Sequence, residues 1–341
     1  MPSPPLELII LIIGIALVFD FTNGFHDSAN SISTVVSTRV LSPRAAVAFA
    51  AFFNFIAAFG FGVAVASTIS KIINLDYVST EIVPYIVLAA LIGAITWNLI
   101  TWFIGLPTSS SHALIGGLAG AGISAAGIAA VKLSTVVVVA QFMVISPIIG
   151  LIVGFLFMVL VLRLSKNQPR EMADKVFRRL QLFSAAAYSF SHGTNDAQKT
   201  MGIITPLLFS IGYFGADIDP NHLPVPLWVI LAAHAAIALG TFSGGWRIVK
   251  TMGYKITRLR PVHGFAAETV SAGTIIGMSM AGVPVSTTHI ISSAIMGVGS
   301  TKGPGAVRWG IARNIVGAWI LTLPASAAIG FAAFYGISLF F

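Results

Sequence analysis

The chain has no cysteine, which excludes disulfides and thiolate metal sites and says little about compartment. Charge is nearly as scarce: 9% of its 341 residues are charged, against roughly 25% in an ordinary soluble domain. With 56% of the residues hydrophobic, a water-soluble fold could not cover the apolar surface. Basic residues are missing before the first apolar run, which carries Glu7. That run also leads into polar residues rather than a small-residue cleavage site, so it does not read as a cleavable signal peptide. The net charge of +8 does not point to nucleic acid, because the bases collect in short loops, where they report orientation.

What the chain has instead is long apolar runs. They cover residues 6–22, 45–66, 84–104, 134–163, 227–246 and 309–341, each long enough to cross a bilayer or nearly so. The sequence therefore describes an all-α polytopic membrane protein. Two polar octets interrupt it, NGFHDSAN at 23–30 and HGTNDAQK at 192–199.

These octets belong to an internal repeat. Gly24-Phe25-His26-Asp27 aligns with Gly193-Thr194-Asn195-Asp196, and GLPTSSSHALIGG (105–117) aligns with GVPVSTTHIISSA (282–294). Loop charge inverts between the halves. Arg39 and Arg44 correspond to the acidic Asp217 and Asp219. Lys71, Asp76 and Glu81 correspond to Arg247, Lys250, Lys255, Arg258 and Arg260, and Lys132 to Lys302, Arg308 and Arg313. Such a bias is expected of repeats inserted upside down relative to one another. The expected organisation is a first repeat at 1–162, a basic cytoplasmic linker at 163–180 and an inverted repeat at 181–341, with both termini outside. Residues 84–128 and 262–300 would each leave and return on one face, as re-entrant or paired helical hairpins.

An ionised carboxylate in hydrocarbon is costly and ordinarily has a task. Asp27 and Asp196 stand among Asn23, Asn30 and Asn195, and beside glycines. Glycine with asparagine fits an unwound helix, so broken helices are expected at the octets, offering hard oxygen ligands to a small cation. A polar network that merely joins helices is the plainer alternative. Asp20, one turn earlier, is a ligand or a pairing residue, and Lys199 a counter-ion for Asp196 or an interhelical clamp.

In the second motif, Pro107 and Pro284 read as first-turn residues of short helices. Free N–H groups at those helix starts would lie among Thr108, Ser109, Ser110, Ser111, Ser286, Thr287 and Thr288, an arrangement suited to an anion. Two such starts could grip one tetrahedral oxyanion without an arginine. His112 and His289 orient hydroxyls, touch substrate, or are satisfied interior histidines. Anion and aspartates would repel each other in one cavity unless cations lay between them, which is the requirement for coupled transport.

With both motifs in hand, the chain resembles the inorganic phosphate transporter (PiT) family over nearly its full length. The resemblance implies phosphate uptake driven by Na⁺ or H⁺, with the two aspartates and the hydroxyl clusters at the site. The chain departs from the family at His26, where asparagine is usual, and its octet ending in Lys199 is similar to bacterial members, some of them proton-coupled. Na⁺ is the expected coupling ion, because Asp, Asn, hydroxyls and carbonyls make a hard oxygen cage. The alternative is a proton-coupled phosphate or metal-phosphate symporter, since His26 brings an imidazole, a side chain able to carry protons, next to Asp27. Another oxyanion such as sulfate is a third reading. An anion channel would need a basic-lined pore. A serine hydrolase would need Ser and His within reach, whereas Ser111 and His112 are adjacent and point apart on a helix. No cofactor is expected. The expected partners are phosphate, Na⁺ and the lipid bilayer, in the plasma (inner) membrane, with no nucleic acid and with a homodimer left open.

Overall fold

The computed structural model describes residues 5–60, 62–215, 218–219 and 223–340. Asp217, used above in the comparison of loop charges, lies outside them. Among the described residues the chain forms twelve α-helices, short 3₁₀ turns, one π-helical stretch and an isolated β-bridge between Ile73 and Val131. In order they are α1 (Leu6–Ser37), α2 (Pro43–Ile56), α3 (Ala64–Ser70), α4 (Val83–Ile104), α5 (Ser110–Ala126) and α6 (Leu133–Ser165). Then follow α7 (Arg170–Ser210), α8 (Leu227–Ser243), α9 (Trp246–Lys250), α10 (Pro261–Met280), α11 (Thr287–Ser300) and α12 (Trp309–Ser338).

Local sequence explains the boundaries. Ser42 caps α2 by accepting from Ala45 N, with Pro43 at the first helical position, where a missing N–H is no loss. Gly105, at φ 76°, closes α4 in the left-handed conformation that glycine adopts without strain. Helices α1, α4, α6 and α12 are long and apolar enough to cross a membrane. Two helix pairs are long and apolar enough only when taken together, each a broken span or a re-entrant loop: α8 meets α9 and the π-helical stretch at 59°, and α2 with its 3₁₀ extension meets α3 at 83°. Helix α7 has 41 residues, about 60 Å at 1.5 Å per residue, and its first turns carry Arg170, Lys175, Arg178 and Arg179 of the expected linker. Most of that linker is therefore helical: α6 runs to Ser165 and α7 starts at Arg170.

The expected hairpins are present as α4–α5 and α10–α11, which pack within themselves. The first also packs on α12 and the second on α6, while α1 packs on α8 and α7 on α2. Every one of these contacts keeps its form when the two halves are exchanged.

Two apolar cores result. One gathers Ile9–Phe19 from the start of α1 and Ala197–Leu208 from the end of α7. The other gathers Ala29–Val36 from the end of α1 and Ala185 and Tyr188 from earlier in α7. The two long helices thus run antiparallel, and the polar octets lie in the layer between the cores.

The octets do not break their helices. Both α1 and α7 are continuous through them, and the breaks fall in α2–α3 and α8–α9 instead. The reason is the role of the glycines. A Cβ on Gly24 would collide with the backbone carbonyl of Ile237 in α8, and one on Gly193 would lie 2.6 Å from the carbonyl of Asn54 in α2. Glycine serves here for close helix approach, not for unwinding.

Candidate transport site

The hydroxyl motifs start α5 and α11, but three residues later than their prolines predict. Helix α5 begins at Ser110 and α11 at Thr287, so Pro107 and Pro284 lie before the caps. Ser109 accepts from His112 N at 3.2 Å, and Ser286 accepts from His289 N at 3.1 Å. The serine at each cap is the stronger start signal, since its oxygen satisfies an N–H that would otherwise lack a partner. The hydroxyls of Ser109 and Ser286 are thereby engaged within their own helix starts.

The two starts converge on Asp27. Ser110 Oγ donates to Asn23 Oδ1 at 2.5 Å and lies 3.5 Å from Asp27 Oδ2. From the other half, Thr288 Oγ1 donates to Asp27 Oδ2 at 3.3 Å and accepts from Asn30 Nδ2 at 2.8 Å. Ser111 Oγ and Asn195 Nδ2 both donate to the Val285 carbonyl, at 3.3 and 3.4 Å. The rings of His112 and His289 lie against each other at a tilt of 59°, with centroids 4.9 Å apart. His289 also stacks on Trp319 at 4.0 Å, and the indole N–H of Trp319 donates to the Pro107 carbonyl at 3.0 Å. All of these motif side chains are buried.

Thr108 sits to one side. Its hydroxyl donates to Thr101 Oγ1 at 2.9 Å and lies 3.4 Å from His26 Nε2. His26 is held on Asp27, with Nδ1 2.7 Å from Oδ1. Asp196 pairs with Lys199 at 2.7 Å, within one helix. That pair favours the counter-ion reading of Lys199 over the interhelical clamp. Asp20 is fully buried and within electrostatic reach of Asp196 and Lys199.

Sequence reasoning missed His192. Its Nε2 lies 3.5 Å from Asp196 Oδ2 and 4.0 Å from Asp27 Oδ2. Ligand atoms of Asp27, His192 and Asp196 all fall within 4.8 Å of one another, close enough to share one cation. The repeat register carried the signal, because His192 occupies the position of Asn23. Glu268 was also missed, though it is an acid within an apolar stretch. It is buried on α10 and accepts from Gln181 Nε2 at 3.1 Å and from Ser184 Oγ.

Several buried polar atoms at the centre have no hydrogen-bond partner among the described residues, including Thr287 Oγ1, Asn23 Nδ2 and Asn195 Oδ1. Buried polar groups are ordinarily satisfied, so these donors and acceptors are suited to a polar solute. Intramembrane acids, converging helix starts and open polar atoms between two apolar cores make a site suited to carrying a polar solute across a membrane.

Comparison with known proteins narrows the class. The chain matches the Phosphate transporter family (PHO4) over residues 23–173 and 163–330, and it belongs to that family. A "Probable low-affinity inorganic phosphate transporter" of Rhizobium meliloti (strain 1021) is 51% identical over 333 residues, 97% of each chain. One of the same description from Bacillus subtilis (strain 168) is 45% identical over 336 residues, 98% of this chain and 99% of its own. Among solved structures, "The sodium-dependent phosphate transporter" superposes with a TM-score of 0.87 at 26% identity, over 98% of this chain and 100% of that one.

Proposed function

We propose that this protein imports inorganic phosphate in symport with Na⁺ across the plasma membrane. The observation that carries the reading is the convergence of two hydroxyl-bearing helix starts, one from each half, on Asp27. The phosphate is held at the starts of α5 and α11 through backbone N–H groups and the open hydroxyl of Thr287, with Ser110, Ser111 and Thr288 turning their hydroxyls from protein acceptors to the anion when it binds and Thr108, Ser109 and Ser286 shaping the helix starts. The cation sits among Asn23, Asp27, Asn30, Asn195 and Asp196. It screens the carboxylates from the anion, so each solute raises the affinity for the other by the same factor. The halves act as inverted repeats with both termini outside, a reading supported by the antiparallel course of α1 and α7.

A proton-coupled mechanism is the second reading, favoured by the imidazole of His26 on Asp27 and by His192 between the two acids. Reconstituted protein separates the two when Na⁺ and pH gradients are imposed independently. Phosphate uptake is expected to follow the Na⁺ gradient. Uptake that ignores Na⁺ and follows inward protons would replace the coupling ion and leave phosphate in place. Failure to move phosphate under either gradient would refute the function.

A further inference from the structure

The repeat register that aligns Asp27 with Asp196 places Asn30 opposite Lys199. The two residues meet the same demand in different ways. Asn30 brings a neutral amide, spent on Thr288 at 2.8 Å, and Asp27 has the imidazole of His26 at 2.7 Å but no lysine or arginine beside it. Lys199 brings its own positive charge to 2.7 Å from Asp196 Oδ1. Among the described residues it is the only lysine or arginine that is fully buried. A buried carboxylate needs a compensating charge close by, and this one has it covalently attached one turn away in its own helix.

We infer that Lys199 is a tethered cation in the seat that a second coupling ion would take, so that one mobile cation, not two, accompanies each phosphate. The inference rests on the cation-symport reading. Its geometry is consistent on the other face of Asp196. With Oδ1 held by Lys199, Oδ2 faces His192 at 3.5 Å, and His192 faces Asp27 at 4.0 Å. Asp27 and Asp196 therefore turn towards one shared seat, while Asp20, buried within reach of Lys199, shares the tethered charge. A packing clamp is a poorer account, since a bond from Lys199 to an acid in its own helix joins no two elements.

The test compares Lys199→Asn, which restores the first-half pattern, with Lys199→Met, which removes the charge and offers no ligand. Labelled Na⁺ and phosphate are counted together in proteoliposomes. Lys199→Asn is expected to add one Na⁺ per phosphate and to raise the Hill coefficient for Na⁺ by about one. At a tenfold Na⁺ gradient its limiting phosphate accumulation then rises about tenfold. Lys199→Met is expected to transport poorly and to gain no Na⁺.

If wild-type uptake proves to ignore Na⁺, the sodium reading falls on that arm alone. The inference is then judged on whether Lys199→Asn acquires a Na⁺ dependence that wild type lacks. A Lys199→Asn protein that transports with unchanged Na⁺ count overturns it. Where the variant does not transport, purified protein is heated in Na⁺ and in choline. Added stabilisation by Na⁺ in Lys199→Asn, absent from Lys199→Met, is the expected result, and equal responses overturn the inference. Loss of folded Lys199→Asn in both buffers also overturns it, because an open seat would have let Na⁺ neutralise Asp196.

Discussion

Thr287 and Thr288 are neighbours on the first turn of α11, equally buried, and differ in one respect. Thr288 Oγ1 has two partners, accepting from Asn30 Nδ2 and donating to Asp27 Oδ2. Thr287 Oγ1 has none among the described residues. Replacing each by valine removes the hydroxyl and keeps the shape, so the pair separates fold from function. Thr288→Val leaves the Asn30 donor orphaned, at about 1–3 kcal/mol, and takes a long hydrogen bond from the carboxylate. Because the remaining ligands of Asp27 (His26 at 2.7 Å and Ser110 at 3.5 Å) stay in place, the total should fall near about 2–4 kcal/mol of stability without ligand. Thr287→Val should leave unliganded stability unchanged or slightly raised. Its loss appears when phosphate binds. A hydrogen bond to a charged group is worth about 1.5–3 kcal/mol, equivalent to about ten- to 150-fold in phosphate affinity. Thermal unfolding of detergent-purified protein, titrated with phosphate, reads both quantities. Phosphate affinity unchanged in Thr287→Val would refute the assignment of that hydroxyl to the anion. A fall in its unliganded stability matching Thr288→Val would refute the distinction between them.

Two further predictions concern the frame around the site. The chain has no cysteine, so single cysteines at Lys255 and Lys71 can be labelled from either side; Lys255 should react only from the cytoplasm and Lys71 only from outside, and the reverse for either would end the inverted topology. Gly24→Ala should force α1 from α8 at the Ile237 carbonyl and lower thermal stability by about 1–3 kcal/mol, whereas Gly14→Ala, inside α1 with open space around its Cβ position, should leave the same melt unchanged or raise it slightly.

The site was legible in the sequence where residues carried chemistry and repeated it. Asp27, Asp196 and the Ser/Thr clusters stand out because an acid or a run of hydroxyls in an apolar segment needs a reason, and a second copy removes chance. The shape of the backbone was less legible. Gly24 and Gly193 read as marks of an unwound helix, and only the position of α8 and α2 shows them to be contact points. The bends at α2–α3 and α8–α9 lie where composition shows apolar residues with glycine, which one straight span could also contain. Pro107 misplaced the start of α5 because proline tolerates the turn before a cap as well as the first turn after it. His192 escaped notice because its neighbours in sequence give no sign of Asp27, which comes from the other half of the chain.

Trp319 gives the two helix starts a common mechanical fate. Its indole N–H is fastened to the Pro107 carbonyl at the head of one hairpin, and its ring lies flat against His289 at the head of the other. It belongs to α12, which also packs along α4 and α5. A movement that carried one head away from the solute would drag on this side chain and through it on the other head, or else break the bond and the stack together. Such a coupling makes half-open arrangements expensive. If the two heads hold the solute as proposed, this side chain would make them yield in concert.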